Sequence, residues 1–208
     1  MYRSISIIMP SFLKQYEGSS KNRIFGFQRA VDSFLNNDYQ NKTLIIVSDG
    51  CKDTCNIYEN KYKQFNEIKL IVLDKQPLFS GNVREAGLRA ATGNIINYLD
   101  TDDIIEKNHL SAINKGFIDN DCDFVFYNDF IKHLPFRPET ERIVTLTGGS
   151  VGTSSIAHKN LPEISWKGCD GYGHDWTFIQ RLIKFYPNYK KIEGCSYIVC
   201  HLPNGRET

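Results

Sequence analysis

The chain has no long apolar stretch. None of its apolar runs approaches the roughly 20 residues that a membrane-spanning helix needs. The first twelve residues, MYRSISIIMPSF, are too short a run, and Pro10 interrupts them too early, for a secretory signal peptide. We therefore expect a cytoplasmic protein without a transmembrane segment, which could still lie at a membrane surface through a partner.

The chain also has no excess of charge of one sign. It holds 25 Lys and Arg residues against 24 Asp and Glu residues, which gives a formal net charge of +1. A protein that binds nucleic acid by bulk electrostatics would carry a marked positive excess, so no nucleic-acid partner is expected. Apolar residues make up 41% and charged residues 24%, which excludes disordered, collagen-like and coiled-coil chains. A length of 208 residues favours one domain.

The six cysteines do not show a metal-binding pattern. Cys51 and Cys55 lie four positions apart, and no second clustered pair accompanies them. Without an export signal, free thiols are the expected state.

Short β-branched runs alternate with segments of helical periodicity over the first 128 residues. Strands are predicted at 4–9, 43–47, 68–73, 95–99 and 124–127, and helices at 24–37, 53–65, 82–91 and 106–118. This alternation predicts an α/β fold with a mostly parallel central sheet flanked by helices. Farther along, we expect strands or a hairpin at 131–138 and 142–147, a helix at 176–185, and two short strands within 190–200.

The strongest chemical signal is the segment Tyr98-Leu99-Asp100-Thr101-Asp102-Asp103, where three carboxylates follow a buried strand. Ligands of parallel sheets bind at the carboxyl ends of the strands. Like charges that close together favour a bound cation, and an oxygen-only site suits Mg²⁺ or Mn²⁺. The alternative is an acidic turn that caps the following helix.

Two further segments place a carboxylate at the end of one element or the start of another. Asp49 follows the second predicted strand and precedes Gly50. The pair Asp-Gly is also common in plain β-turns. Asp175 precedes a predicted helix, where it is either a general base at the floor of a pocket or a simple N-cap.

Together, four segments resemble the GT-A glycosyltransferases, in particular the large family 2 group. They are SIIMPSF, AVDSFLNNDYQNKTLIIVSDGCKD, VREAGLRAATGNIINYLDTDD and GHDWTFIQRL. The resemblance implies one GT-A domain over residues 1–208. Within it, 1–103 would be the nucleotide-sugar-binding half, 104–200 the acceptor-binding half, and 201–208 a flexible tail or lid.

The resemblance also implies an activity. A sugar would move from a nucleoside diphosphate sugar, with a UDP-sugar favoured, to a hydroxyl of a saccharide, a lipid-linked molecule or a protein. Mn²⁺ or Mg²⁺ would assist, and a single inverting displacement would use Asp175 as base. The resemblance assigns donor-nucleotide contacts to Pro10, Ser11, Asp49, Asp53, Arg84, Asp100, Thr101 and Asp102. It assigns sugar or acceptor contacts to Asp103, His174 and Trp176, and metal ligation to Asp102 and His201.

The chain departs from the family pattern at three positions. Ser48 stands where an aspartate is common, Glu85 where an asparagine is common, and His174 in place of the glutamate of a Glu-Asp pair. The last departure leaves a retaining transferase open as an alternative. A further alternative is a non-catalytic module that binds a nucleotide sugar or a glycan. A nucleotidyltransferase is disfavoured because no glycine cluster follows the first strand. A phosphatase with a DxDxT nucleophile is excluded by Ile104.

Overall fold

The computed structural model describes residues 3–132, 139–202 and 206–207, with the backbone alone described from residue 201 onward. The helices are α1 (Arg23–Leu35), α2 (Lys52–Ile57), α3 (Gly81–Ala90), α4 (His109–Asn120) and α5 (His174–Phe185). The strands are β1 (Ile5–Ser11), β2 (Lys42–Asp49), β3 (Ile68–Leu73), β4 (Ile95–Tyr98), β5 (Ile104–Ile105), β6 (Phe124–Phe126), β7 (Asp129–Ile131), β8 (Thr140–Arg142), β9 (Ile156–Lys159), β10 (Tyr189–Lys191), β11 (Tyr197–Val199), β12 (His201–Leu202) and β13 (Arg206–Glu207).

Seven strands form the central sheet, in the order β10-β6-β9-β4-β1-β2-β3. Strand β1 pairs in parallel with both β2 and β4, and β2 pairs in parallel with β3. Strand β9 is antiparallel to both of its neighbours, β4 and β6. The predicted α/β fold with a mostly parallel sheet is confirmed.

Both faces of this sheet are buried, which explains the continuous apolar runs of its strands. Ile7 of β1 packs in one cluster with Phe27 of α1, whereas Ile8 packs on the opposite face with Leu88 of α3. Helix α3 lies very close to the sheet at Gly87, where an added Cβ would come within 2.6 Å of the Ile8 side chain.

A second sheet of four strands, β5-β11-β7-β8, lies beside the first. Strands β7 and β8 form an antiparallel hairpin, and β11 runs parallel to β7. The buried carboxylate of Asp129 at the start of β7 binds the Arg142 guanidinium and accepts hydrogen bonds from Ser154 and Ser155. These contacts connect the hairpin to a 3₁₀ turn at Thr153–Ser155.

Some sequence expectations differ from the structure. The predicted helix 53–65 is α2 followed by a π-helical turn at Tyr58–Tyr62. The predicted strand 142–147 is absent from the described residues, because β8 ends at Arg142, and residues 133–138 of the other predicted strand lie outside them. Strand β9 was not predicted. All six cysteines are free, as expected, and no described helix is long and apolar enough to span a bilayer.

Candidate functional site

A cleft of about 340 Å³ opens at the carboxyl ends of β1, β2 and β4. The fold rule for parallel sheets predicts a ligand site at this edge. The lining residues are Pro10, Ser11, Phe12, Tyr16, Arg23, Asp49, Pro77, Leu78, Phe79, Ser80, Val83, Arg84, Asp100, Thr101, Asp102, His174 and Asp175. The structure therefore brings together residues from all three of the sequence segments that carry carboxylates.

Asp49 is the last residue of β2, and both of its carboxylate oxygens have partners. Lys75 donates to Oδ2 over 2.7 Å, and the backbone N–H of Gln76 donates to Oδ1 over 2.6 Å. Gly50 allows this close approach, since its φ is +60° and an added Cβ would lie 2.7 Å from the backbone nitrogen of Lys75. The loop after β3 is thereby held against the end of β2.

Arg84, on α3, connects two of the carboxylates across the cleft. Its guanidinium donates to Oδ1 of Asp100 over 3.0 Å and lies 4.0 Å from Oδ1 of Asp175. It also lies over the Trp166 ring, 5.2 Å from the centroid. Burial raises the pKa of Asp100, because desolvation outweighs the attraction of Arg84.

Asp175 lies in the first turn of α5 and faces several donors. His174 places Nε2 at 3.0 Å from Oδ1, and the Thr153 backbone N–H approaches Oδ2 at 3.5 Å. Burial alone would raise the pKa of Asp175, but Arg84 and then His174 outweigh it and lower the pKa to about 2. Asp175 is therefore a carboxylate held in its charged form.

The Asp100–Asp103 turn rests on α1. Gly26 approaches it so closely that an added Cβ would lie 3.2 Å from the Thr101 carbonyl oxygen, and Arg29 donates to the carbonyl of Asp102. No hydrogen bond or ion pair of the described residues involves the Asp102 carboxylate, and no group of three or more potential metal ligands is found among them. One free carboxylate on a cleft suits Mg²⁺ or Mn²⁺, which bind through one or two carboxylates together with substrate phosphates.

Three of the residues implied by the resemblance, Asp53, Asp103 and Trp176, lie outside the cleft lining. Asp103 is buried and accepts hydrogen bonds from the Tyr197 hydroxyl over 2.9 Å and from the Cys200 backbone over 2.8 Å. Asp53 lies in the first turn of α2. The indole nitrogen of Trp176 lies near Gly148, 3.2 Å from the position of an added Cβ. The His201 side chain lies outside the described part of the structure.

The structure also brings residues to the cleft that the sequence analysis did not select, among them Tyr16, Phe79 and Leu78. Thr153 lies outside this lining but contacts Asp175 from 22 positions away, in a segment whose sequence fits either an acceptor-binding loop or a plain turn. Tyr16 lies in the loop between β1 and α1, where the sequence pattern does not mark it. Phe79 lies in a loop whose conformation the sequence pattern does not specify.

Glu85, one of the three departures, has a structural role. It accepts hydrogen bonds from the Trp166 backbone over 2.7 Å and from Arg89 over 2.9 Å. Glu85 thereby fixes the segment that carries Trp166, and the Trp166 ring in turn lies under the guanidinium of Arg84.

The fold is similar to that of solved glycosyltransferase structures. A structure of residues 1–349 of S. aureus TarS matches with a TM-score of 0.73 at 16% identity, over 94% of this chain and 60% of that one. A complex of the same protein with UDP-GlcNAc matches with a TM-score of 0.71, over 94% of this chain and 58% of that one. The GT-A fold that the resemblance implied is confirmed.

Two curated relatives match parts of the chain. Glycosyltransferase GlyA of Streptococcus pneumoniae serotype 4 is 23% identical over 103 residues, which are 49% of this chain and 14% of that protein. EpsH of Bacillus subtilis strain 168, provisionally named a glycosyltransferase, is 38% identical over 80 residues, which are 38% of this chain and 23% of that protein. The chain thus spans a small part of the length of either relative.

The most extensive sequence match is to a family model. The model described as glycosyl transferase family 2 matches residues 6–150, which include β2 to β8, all but the first residue of β1, and the Asp100–Asp103 turn. The chain therefore belongs to glycosyl transferase family 2.

Proposed function

We propose that this chain transfers a sugar from a nucleoside diphosphate sugar to an acceptor hydroxyl. The observation that carries the proposal is the cleft that joins the Asp100–Asp102 turn to Asp175 through Arg84. One side of the cleft offers carboxylates at the ends of parallel strands, and the other offers a charged carboxylate at the start of a helix. Support comes from the family membership and from the TarS structure solved with UDP-GlcNAc.

In this proposal the donor lies along the edge formed by β1, β2 and β4. Pro10 and Ser11 border the nucleotide, and Asp49 lies where it can accept a hydrogen bond from the base. Lys75 and the Gln76 backbone occupy both oxygens of Asp49, so the base must compete with this loop for the carboxylate. A UDP-sugar remains the favoured donor.

Asp102 is the residue that would hold Mn²⁺ or Mg²⁺, and His201 stays a predicted second ligand. The cation would supply neutralising charge to the diphosphate, which is a poor leaving group without it. The contacts of Arg29 and Gly26 on α1 hold Asp102 in place toward the cleft.

Asp175 would accept the proton of the acceptor hydroxyl as that oxygen attacks the anomeric carbon. A carboxylate with a pKa of about 2 is fully charged at neutral pH but is a weak base. An anionic diphosphate in the cleft would attract Arg84, whose charge is the main influence that lowers the pKa of Asp175. Donor binding would then raise the basicity of Asp175, and a single displacement would invert the anomeric configuration.

The test is a titration with UDP-sugars, with and without Mn²⁺, that follows melting temperature and nucleotide release. A ligand that binds only the folded chain stabilises it by about 2.7 kcal/mol at a hundredfold excess over Kd. We expect Mn²⁺-dependent stabilisation by one UDP-sugar, which is lost in Asp102→Ala and kept in Asp175→Asn and in the distant control Asp123→Asn.

Turnover separates the remaining alternatives. Nucleotide release with an acceptor, absent in Asp175→Asn, would support a transferase, whereas binding without release would identify a non-catalytic module. The anomeric configuration of the product, read by NMR, distinguishes an inverting from a retaining reaction. No stabilisation by any nucleotide sugar would overturn the proposal.

A further inference from the structure

Three aromatic rings form a row beside the cleft: Tyr16 and Phe79 belong to its lining, and Tyr172 contacts Phe79. Phe79 lies between Tyr16 and Tyr172 and meets each of them edge to face, with both pairs of ring centroids 6.3 Å apart. The row is open to solvent, since Phe79 is 40% exposed and Tyr172 is 89% exposed. The reaction steps proposed above use none of these rings.

Phe79 holds its position against a backbone preference. Its φ is +59°, in the left-handed region that a bulky side chain rarely adopts. The conformation is fixed, because the Phe79 carbonyl accepts a hydrogen bond from the Gly171 N–H over 3.1 Å. A glycine would make this turn without strain. A half-exposed phenylalanine in such a position indicates that the ring itself has a use.

The ring lies next to the proposed base. Phe79 stacks on the imidazole of His174, with centroids 5.8 Å apart and planes 29° apart, and His174 contacts Asp175. Tyr172 is only three positions before Asp175 in the chain. The contacts of Phe79 thus connect the Tyr172 ring, through His174, to the proposed base.

The chemistry of this part of the cleft suits a sugar ring. Aromatic faces carry partial negative charge, which attracts the polarised C–H groups on the flat side of a pyranose. The cleft lining mixes the Tyr16 and Phe79 rings with the polar side chains of Ser80 and Thr101 and with the apolar Leu78. A lipid chain would instead need a continuous apolar groove.

We propose that the exposed ring of Tyr172, which Phe79 supports by an edge-to-face contact, is a stacking surface for a pyranose ring of the acceptor, so that the acceptor is a saccharide. This inference rests on the proposed function, because it takes Asp175 to be the base toward which the acceptor hydroxyl points. It selects one of the three acceptor classes that the sequence left open.

The test is binding of the chain to an array of oligosaccharides in the presence of UDP and Mn²⁺, followed by calorimetry with the best-bound one. Farnesyl phosphate and a Ser/Thr-rich peptide serve as lipid and protein probes. We expect an oligosaccharide to bind, and Phe79→Gly and Tyr172→Ala each to weaken that binding roughly tenfold. Both variants should bind UDP as the unmodified chain does.

The matched control is Phe185→Ala, which removes an exposed phenylalanine at the far end of α5. It should leave both oligosaccharide and UDP binding unchanged. Phe79→Gly should not lower the melting temperature, because glycine removes the backbone strain. A Phe79 with only a packing role would give the opposite result, with a lower melting temperature and unchanged oligosaccharide binding.

The outcomes distinguish this inference from the function on which it rests. If UDP does not bind, the proposed function fails, whatever the oligosaccharides do. If UDP binds but no oligosaccharide does, or if both variants bind oligosaccharides normally, the proposed stacking surface is wrong. Binding of farnesyl phosphate or the peptide that the two variants weaken would also overturn it.

Discussion

Nε2 of His174 lies 3.0 Å from Oδ1 of Asp175. The other ring nitrogen, Nδ1, donates to the Gly171 carbonyl over 2.9 Å, which fixes the orientation of the imidazole. Arg84 also approaches Nε2, at 3.1 Å. The residue that replaces the glutamate of the family pair is therefore a direct partner of the proposed base, and it lowers the pKa of that base.

Replacing His174 is expected to change the pH dependence of transfer. The pKa of Asp175 is about 2, so the unmodified chain should keep its kcat/KM as the pH falls to the acid limit of its stability. His174→Gln removes one of the groups that lower this pKa, while Arg84 and the Thr153 backbone N–H remain. The acid limb of the kcat/KM profile should therefore move to higher pH.

The measurement is the pH dependence of kcat/KM with saturating Mn²⁺. Asp123→Asn is the control, because it changes a carboxylate far from the cleft that pairs with Lys159. An acid limb that stays in place in His174→Gln would show that the imidazole does not influence Asp175.

Gly26 is expected to matter for binding of the donor rather than for folding. A Cβ at this position would lie 3.2 Å from the Thr101 carbonyl oxygen and 3.3 Å from Cα of Asp102. Gly26→Ala should push the Asp102 turn outward and weaken Mn²⁺-dependent UDP binding about tenfold. The gain in helix propensity, about 1 kcal/mol, should offset the crowding in the stability of the chain.

Gly116→Ala on α4 is the matched comparison for Gly26. Its new Cβ would meet the Ile192 side chain at 2.7 Å, far from the Asp102 turn. This variant should lower the melting temperature and keep UDP affinity. Equal effects of the two substitutions on UDP affinity would contradict a specific role of Gly26.

Asp129 is expected to contribute strongly to stability. Its side chain is fully buried and accepts hydrogen bonds from Arg142 over 2.7 Å and from Ser155 over 2.7 Å. Asp129→Asn removes the charge that pairs with Arg142 and an acceptor of two buried serine hydroxyls, and we expect a loss of about 1–3 kcal/mol because Arg142 stays 33% exposed. Equilibrium unfolding in urea measures this loss.

The ion pair of Lys159 and Asp123 is the comparison for the unfolding free energy of Asp129→Asn. Its side chains are 28% and 31% exposed, so Asp123→Asn should cost less than about 1 kcal/mol. Asp129→Asn should also reduce transfer, because the turn at Thr153–Ser155 that it anchors supplies the Thr153 contact to Asp175. Similar unfolding free energies for the two variants would refute the assignment.

The first half of the fold could be predicted from the sequence because its strands are β-branched runs buried on both faces. Strands β1 to β4 and the Asp100–Asp103 turn followed from that pattern. Strand β9 did not, since Ile156–Lys159 is four residues long and becomes a strand through pairing with β4 and β6. Its position in the sheet depends on contacts that are distant in sequence.

The site was predictable to a similar degree. Carboxylates at strand ends could be located from the sequence, and the family resemblance added Arg84. The contacts of Phe79 with His174 and of Thr153 with Asp175 could not be found in this way. Each depends on a loop conformation that brings the residue to the start of α5 from another part of the chain.

His109 is expected to make the chain less stable in acid. It is fully buried in α4, and its ring packs edge to face with Tyr127 at 5.3 Å and Tyr197 at 6.0 Å. Burial lowers its pKa to about 3. In the unfolded chain the pKa of histidine is about 6.5.

A lowered pKa means that the folded state favours the neutral imidazole, so the contribution to stability is present above the unfolded pKa and is lost below it. The free energy of unfolding should fall as the pH decreases from about 6.5 toward 3, by up to about 1.4 kcal/mol per pH unit for each such histidine. His158 adds to this slope, because burial lowers its pKa to about 4.

Substitution of His109 separates its part of the slope from that of His158. His109→Phe keeps a ring between the two tyrosines but leaves the Ser196 N–H without its acceptor, Nδ1 of His109. The variant should lose about 1–3 kcal/mol at pH 8 and show a shallower decline in acid. Urea unfolding at pH 8, 6.5 and 5 gives both quantities. If the free energy of unfolding of His109→Phe falls with decreasing pH as steeply as that of the unmodified chain, His109 is not a group whose protonation destabilises the fold.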